Sequence, residues 1–137
     1  MKTINSVESK ELIISSDEDN LTLVEDFIDE FVEKYKIPIC YYANILVVVT
    51  EAVRNSVIHG NKSDIDKKVI ITASYNNRKV DFIITDEGLG FNYNSYLKKI
   101  QNKSNSLEGN GISLIHNLAD EIKYLDKGSK LQLQFKV

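Results

Sequence analysis

Scarcity is the first thing this chain shows: one cysteine, one proline, two histidines, and no glycine before residue 60. The lone Cys40 cannot close an internal disulfide, and it is expected to pack as a small buried thiol. Two histidines are too few to argue for a histidine metal centre. A basic surplus is missing as well. The net charge is −3, so the electrostatic footprint of a nucleic-acid binder is absent and no direct nucleic-acid partner is expected. The longest apolar run, residues 45–49, is far too short to span a bilayer. The opening stretch MKTINSVESKELIISS has no apolar core of the signal-peptide kind. These absences fit a cytoplasmic chain with no membrane partner.

What remains is an ordinary globular composition, 42% apolar and 27% charged. The length of 137 residues suits a single domain, 1–137, with a real core. Residues 11–15 suit a short strand. From Asp17, a helix-capping residue type, Leu21, Val24, Phe27, Ile28, Phe31 and Val32 recur at helical spacing and predict a first amphipathic helix. Pro38 punctuates the chain before a second helix over 39–59, which Gly60 stops. Strands are predicted over 68–75 and 79–85, joined as a hairpin by the turn-prone Asn76, Asn77 and Arg78. Residues 92–108 form a long polar stretch, 111–118 a third helix, and 121–125 and 130–137 two closing strands. The fold class that follows is an α/β (α+β) two-layer sandwich: a mixed, mainly antiparallel sheet with helices on one face.

The second helix carries an oddity. Its stretch EAVRNSVIHGN repeats polar groups at every fourth residue: Glu51, Asn55 and His59. That spacing stacks them on one helical face. At 100° per residue, Tyr42, Ile45, Leu46, Val49, Ala52, Val53 and Val57 form a broad sheet-packing side. Opposite lie Asn44, Glu51 and Asn55, flanked by Val47, Val48 and Ile58 rather than by the lysines and glutamates of a solvated face. Two readings stand. Either Glu51 pairs with Arg54 or a lysine, Asn55 caps something and His59 complements the helix C-terminus, or a ligand or another segment covers this face.

The glycines favour the second. Five of the six fall in three motifs: His59-Gly60; DEGLGF, with Asp86, Gly88 and Gly90 at a strand end; and GNGISLI, with Gly109 and Gly111 just before a helix. Glycines at a helix N-terminus let backbone N–H groups approach an anion. The phosphate loop G-x-x-x-x-G-K-[ST], the third glycine of a dinucleotide fingerprint and the protein-kinase signatures are all absent.

The succession E-x-x-x-N-x-x-x-H-G, D-x-G-x-G-F and G-x-G-I-x-L-I resembles the N, G1 and G2 boxes of the GHKL ATPases, whose architecture is the Bergerat fold. Within that superfamily, TEAVRNSVIHGN and GISLIHNLADEI look most like the anti-sigma-factor serine kinases, and the likeness runs over about residues 10–137. The resemblance implies ATP and Mg²⁺ as cofactors. It implies Asn55 as the Mg²⁺ ligand, Glu51 as the group that orients or deprotonates the nucleophile, and Asp86 as the acceptor for the adenine amino group. Gly88 and Gly90 would keep side chains clear of base and sugar, while Gly109, Asn110 and Gly111 would bring amides to the phosphates. Ser129, after Gly128, would sit close to the adenine. Residues 92–108 would be an ATP lid, in which Lys98, Lys99 and Lys103 suit a solvated loop. His59 would end the helix, and His116 would pack. The chain departs from the pattern at SNSLE, which has no basic residue before Gly109 and puts Glu108 near the phosphates. That departure bears on transfer more than on binding.

The implied function is an anti-sigma factor and serine/threonine kinase that sequesters a sigma factor and phosphorylates an anti-anti-sigma (STAS-type) partner, with a possible homodimer through the N-terminal strand and first helix. The alternative is a non-catalytic, nucleotide-dependent binding switch. A phosphorelay ATPase would need a phosphoacceptor histidine and dimerisation hairpin, for which the N-terminal segment is expected to leave no room.

Overall fold

The computed structural model describes residues 8–88, 118–125 and 129–137. Apart from Leu118, the third helix predicted over 111–118 lies outside the described residues, as does the stretch 92–108. Five strands, β1 (Glu8–Ser15), β2 (Lys68–Asn76), β3 (Lys79–Thr85), β4 (Glu121–Leu125) and β5 (Lys130–Lys136), join in the order β1-β2-β3-β5-β4. Every pairing is antiparallel. Helices α1 (Leu21–Lys34) and α2 (Ile39–Asn55) cover one face, giving the α+β two-layer arrangement.

Strand periodicity of two decides which side is the core. One row across the sheet is Leu12, Ile71, Ile84, Leu131 and Tyr124; the next row on the opposite face is Glu11, Thr72, Ile83, Gln132 and Lys123. The apolar row turns toward the helices. Phe82 sits at the centre, its ring 5.6 Å from Phe31 of α1 and 6.3 Å, edge-on, from Phe135 of β5. Truncating so enclosed an aromatic costs about 3–5 kcal/mol. The hairpin turn is tighter than the sequence suggests. Asn76 still pairs with Lys79, so only Asn77 and Arg78 turn, with φ of 51° and 63°. Two consecutive left-handed residues match the twist of the flanking strands.

Local chemistry explains the departures from expectation. β1 starts at Glu8, three residues earlier than its apolar part suggests, because backbone pairing to β2 continues through polar residues. Asp17 does cap, but it caps a short 3-10 turn (Glu18–Asn20), accepting from the Asp19 N–H at 2.9 Å. Helix α1 then buries Leu21, Val24, Ile28 and Phe31. Cys40 is exposed, not buried: it stands in the first turn of α2, where Ile39 is also turned outward. Val48 belongs to the core side, fully buried beside Val49, while Val47 is exposed. The α-helix stops at Asn55, and residues Ser56–Gly60 continue as one π turn. No helix among the described residues is long and apolar enough to cross a membrane.

Candidate functional site

The polar exceptions to this core gather in one place. Among the described residues, the buried polar side chains are Ser16, Asn55, Ser56, Asn61 and Asp86. They meet where the end of α2 reaches the ends of β1 and β3. π turns concentrate at functional sites, and this one supplies two of the site's contacts, Ser56 and Gly60.

Asp86 follows the last residue of β3 and is only 6% exposed. Its own N–H donates to the Ser129 carbonyl at 2.9 Å, which holds the strand end against the start of β5. Its Oδ1 accepts from the Gly88 N–H at 2.9 Å. Burial pushes the carboxyl above its ordinary value, and bonds from the Gly88 N–H and the Ser56 hydroxyl pull it partway back. A carboxylate held this way keeps a lone pair for a donor arriving from outside.

Two glycines make the approach possible. A Cβ on Gly60 would lie 2.3 Å from Asp86 Oδ2, and one on Gly88 would lie 2.1 Å from the Gly60 carbonyl oxygen. The π turn and the Asp86 loop therefore touch backbone to side chain, with no room for a methyl group.

Asn55 ends α2 just before Ser56. It is 8% exposed, caps nothing, and its Nδ2 finds no hydrogen-bond partner among the described residues. An orphaned buried amide is costly and asks for a partner from outside the described structure. Its Oδ1 is a hard oxygen of the kind Mg²⁺ accepts, and no cluster of three or more acidic, histidine or cysteine side chains suits a metal among the described residues. A single amide oxygen fits an ion that arrives with phosphate and water ligands.

Glu51 lies one turn earlier, its side chain 28% exposed. Its Oε1 is 3.5 Å from Arg54 Nε, and Arg54 Nη1 is 3.4 Å from Glu18 Oε2. The Glu51–Arg54 pairing anticipated from sequence is present, but at this distance it is an ion pair without hydrogen-bond geometry, since Arg54 Nε remains unbonded. His59 is exposed at the end of the π turn. Asp86, Gly88 and Ser129 are thus brought together, with Asn55 joined to them through Ser56. Gly90, Gly109, Asn110, Gly111, the lysines of 92–108, Glu108 and His116 lie outside the described residues.

Three contributors escaped sequence reasoning. Ser56 and Asn61 carry no role in the sequence reading, and Gly60 stands there as a helix stop and a motif glycine but not as the surface against which Asp86 packs. The adjacency of Asn61 to a glycine after a helix was the one available signal.

Residues 14–135 match the histidine kinase-like ATPase domain. The chain is 33% identical over 86 residues to an anti-sigma F factor of Shouchella clausii, covering 61% of this chain and 59% of that protein. It is 30% identical over 100 residues to an anti-sigma F factor of Clostridium perfringens, covering 69% of this chain and 71% of that one. Against the Shouchella protein, then, the chain spans under two thirds of the relative's length. Among solved structures, a crystal structure of the RsbU and RsbW domains of a Mycobacterium tuberculosis protein superposes with a TM-score of 0.63 at 13% identity, over 93% of this chain and 31% of that one. At that identity the likeness speaks for the fold alone.

Proposed function

The chain belongs to the histidine kinase-like ATPase domain family, and from that premise we propose that it is an ATP-dependent anti-sigma factor with serine/threonine kinase activity. Membership implies ATP binding, and the names of the relatives support a sigma factor as partner. The observation that carries the site assignment is an orphaned buried amide, Asn55, linked to a buried carboxylate, Asp86, through the adjacent Ser56, which hydrogen-bonds Asp86. One end offers an unpaired polar group for a metal–phosphate assembly. The other offers an acceptor for an adenine amino group. Gly88 and Gly90 would border the base, Ser129 would lie beside it, and Gly109, Asn110 and Gly111 would present amides to the phosphates.

Asn55 Oδ1 would hold Mg²⁺, whose chemistry is to neutralise phosphate charge. Glu51 would accept the proton of a serine hydroxyl on an anti-anti-sigma (STAS-type) partner. That oxygen bonds the γ-phosphorus as the bond to the β,γ-bridging oxygen breaks, and ADP leaves with the electron pair. Sequestration of the sigma factor would be a second activity of the same domain, in a cytoplasmic homodimer.

One observation favours a second reading, the non-catalytic nucleotide-dependent switch: Glu51 already faces Arg54, an ion partner that a catalytic role would have to share. Radiolabelled ATP mixed with this protein and a candidate anti-anti-sigma partner separates the two. Label on a partner serine supports the kinase. Nucleotide binding with no label on any partner supports the switch, and no nucleotide binding by folded protein in the presence of Mg²⁺ overturns both.

A further inference from the structure

Asn61 is the only fully buried amide side chain among the described residues, and nothing in the function above employs it. Both of its side-chain donors and its carbonyl oxygen are engaged. Nδ2 donates to Ser16 Oγ at 2.8 Å and to the Lys68 carbonyl at 2.9 Å, and Oδ1 accepts from the Glu87 N–H at 2.8 Å. Its backbone N–H donates to the Ser56 carbonyl at 2.8 Å, which closes the π turn. Ser16 is anchored in turn, donating from its hydroxyl to the Lys67 carbonyl at 2.8 Å.

The position of these bonds matters more than their number. The β2–β3 ladder ends at the pair Ile70 and Thr85, so beyond Thr85 strand pairing no longer restrains the chain on the β2 side, and the Asp86 N–H bond to the Ser129 carbonyl holds it only on the β5 side. Asn61 takes over there. Asn61, Glu87 and Lys68 form a closed ring: Glu87 N–H to Asn61, Asn61 amide to the Lys68 carbonyl, and the Lys68 N–H to the Glu87 carboxylate. Glu87 immediately follows Asp86, and Gly60 immediately precedes Asn61 with no space beneath Asp86. The clip therefore fixes the backbone on which the Asp86 carboxylate rides.

We infer that Asn61 is a positioning residue for base recognition: through Glu87 it sets where Asp86 presents its carboxylate, and Ser16 at the end of β1 sets where Asn61 sits. The inference rests on the nucleotide reading above and deepens it. A misplacement of about 1 Å at a recognition group costs up to ~10²-fold. The phosphate end of the site, built on Asn55 of α2, does not depend on the clip. Loss of Asn61 should therefore weaken base choice and spare triphosphate affinity, a split that general destabilisation does not produce.

The test is calorimetric binding of ATP, GTP and inorganic tripolyphosphate, each with Mg²⁺, to the full chain and to N61A, S16A, D86A and N61A/D86A. N61A should cut the ATP-over-GTP preference by about tenfold or more while tripolyphosphate affinity stays at the wild-type value. S16A should change the preference in the same direction by less. Because N61A and D86A act on one interaction, N61A should add nothing in the D86A background. An unchanged ATP-over-GTP ratio in a cooperatively folded N61A overturns the inference, as does an equal loss for all three ligands. If N61A does not fold, S16A decides by the same ratio. Wild type that binds ATP while the variants keep its preference defeats this inference alone; wild type that binds no nucleotide defeats the nucleotide reading and this inference with it.

Discussion

Gly60 and Asp86 are in contact with no atom to spare: a methyl group on Gly60 would come within 2.3 Å of one carboxylate oxygen and 2.9 Å of the other. Both residues are buried, so neither yields into solvent. Gly60→Ala must displace Asp86 or spread the π turn. The expected outcome is a loss of about 1–3 kcal/mol in urea unfolding, with ATP affinity down roughly tenfold or more by calorimetry. Wild-type ATP affinity in G60A would show that this approach does not serve the base.

Asn55 predicts the opposite balance. Its Nδ2 makes no hydrogen bond among the described residues, so the free protein gains little from it. Asn55→Ala should leave unfolding free energy within about 1 kcal/mol of wild type, because no buried bond is broken. Mg²⁺-ATP binding should nevertheless be lost. Urea melts paired with calorimetry read both halves, and a large destabilisation would mark the amide as structural.

Glu51 separates chemistry from binding. Glu51→Gln keeps the shape and removes the charge, so ATP affinity should survive while label transfer to a partner serine falls about 10²–10⁴-fold. The substitution also releases Arg54 from one of its two carboxylates, 3.5 Å away. Unfolding of E51Q would mean that the ion pair is what the helix needs.

Asp86 gives a pH dependence with a definite sign. Burial raises its carboxyl above the ordinary 3.8, so between that value and the raised one the folded state binds more protons than the unfolded state. Stability from this group is then greatest at acid pH and is lost as pH rises through the folded value. Asp86→Asn removes the penalty. Unfolding free energies of D86N and wild type should nearly agree at about pH 4 and separate in favour of D86N toward about pH 7. A gap that narrows with rising pH would mean that the two hydrogen bonds outweigh burial.

The parts legible in the sequence were those governed by period. Leu21, Val24, Ile28 and Phe31 marked the buried stripe of α1 through spacing alone, and the alternation in VDFIIT marked β3. Asn76-Asn77-Arg78 announced the hairpin, of which only Asn77 and Arg78 turn. What periodicity could not carry was the change of period. The 100° wheel set Val48 on a flank and ran α2 to His59, whereas Val48 is core and the winding loosens after Asn55. The DEGLGF motif singles out Asp86, but nothing in it shows the network that holds the residue. Ser16 and Asn61 are 45 residues apart and Asn61 and Glu87 are 26 apart, and no local rule links them.

The π turn makes the site sensitive to winding as well as to residue type. Each helical residue turns the chain by about 100°, so winding Ser56–Gly60 as regular α-helix, with no residue removed, would carry Asn61 one helical position past the Ser56 carbonyl that its N–H now meets. Everything after Gly60 would then rotate by about that angle relative to Asn55. Gly60 would leave the floor under Asp86, and Asn61 would swing away from Ser16 and Glu87. A change of winding in a surface loop is absorbed by slack; here there is none, because the same turn carries both Ser56 and Gly60 against Asp86.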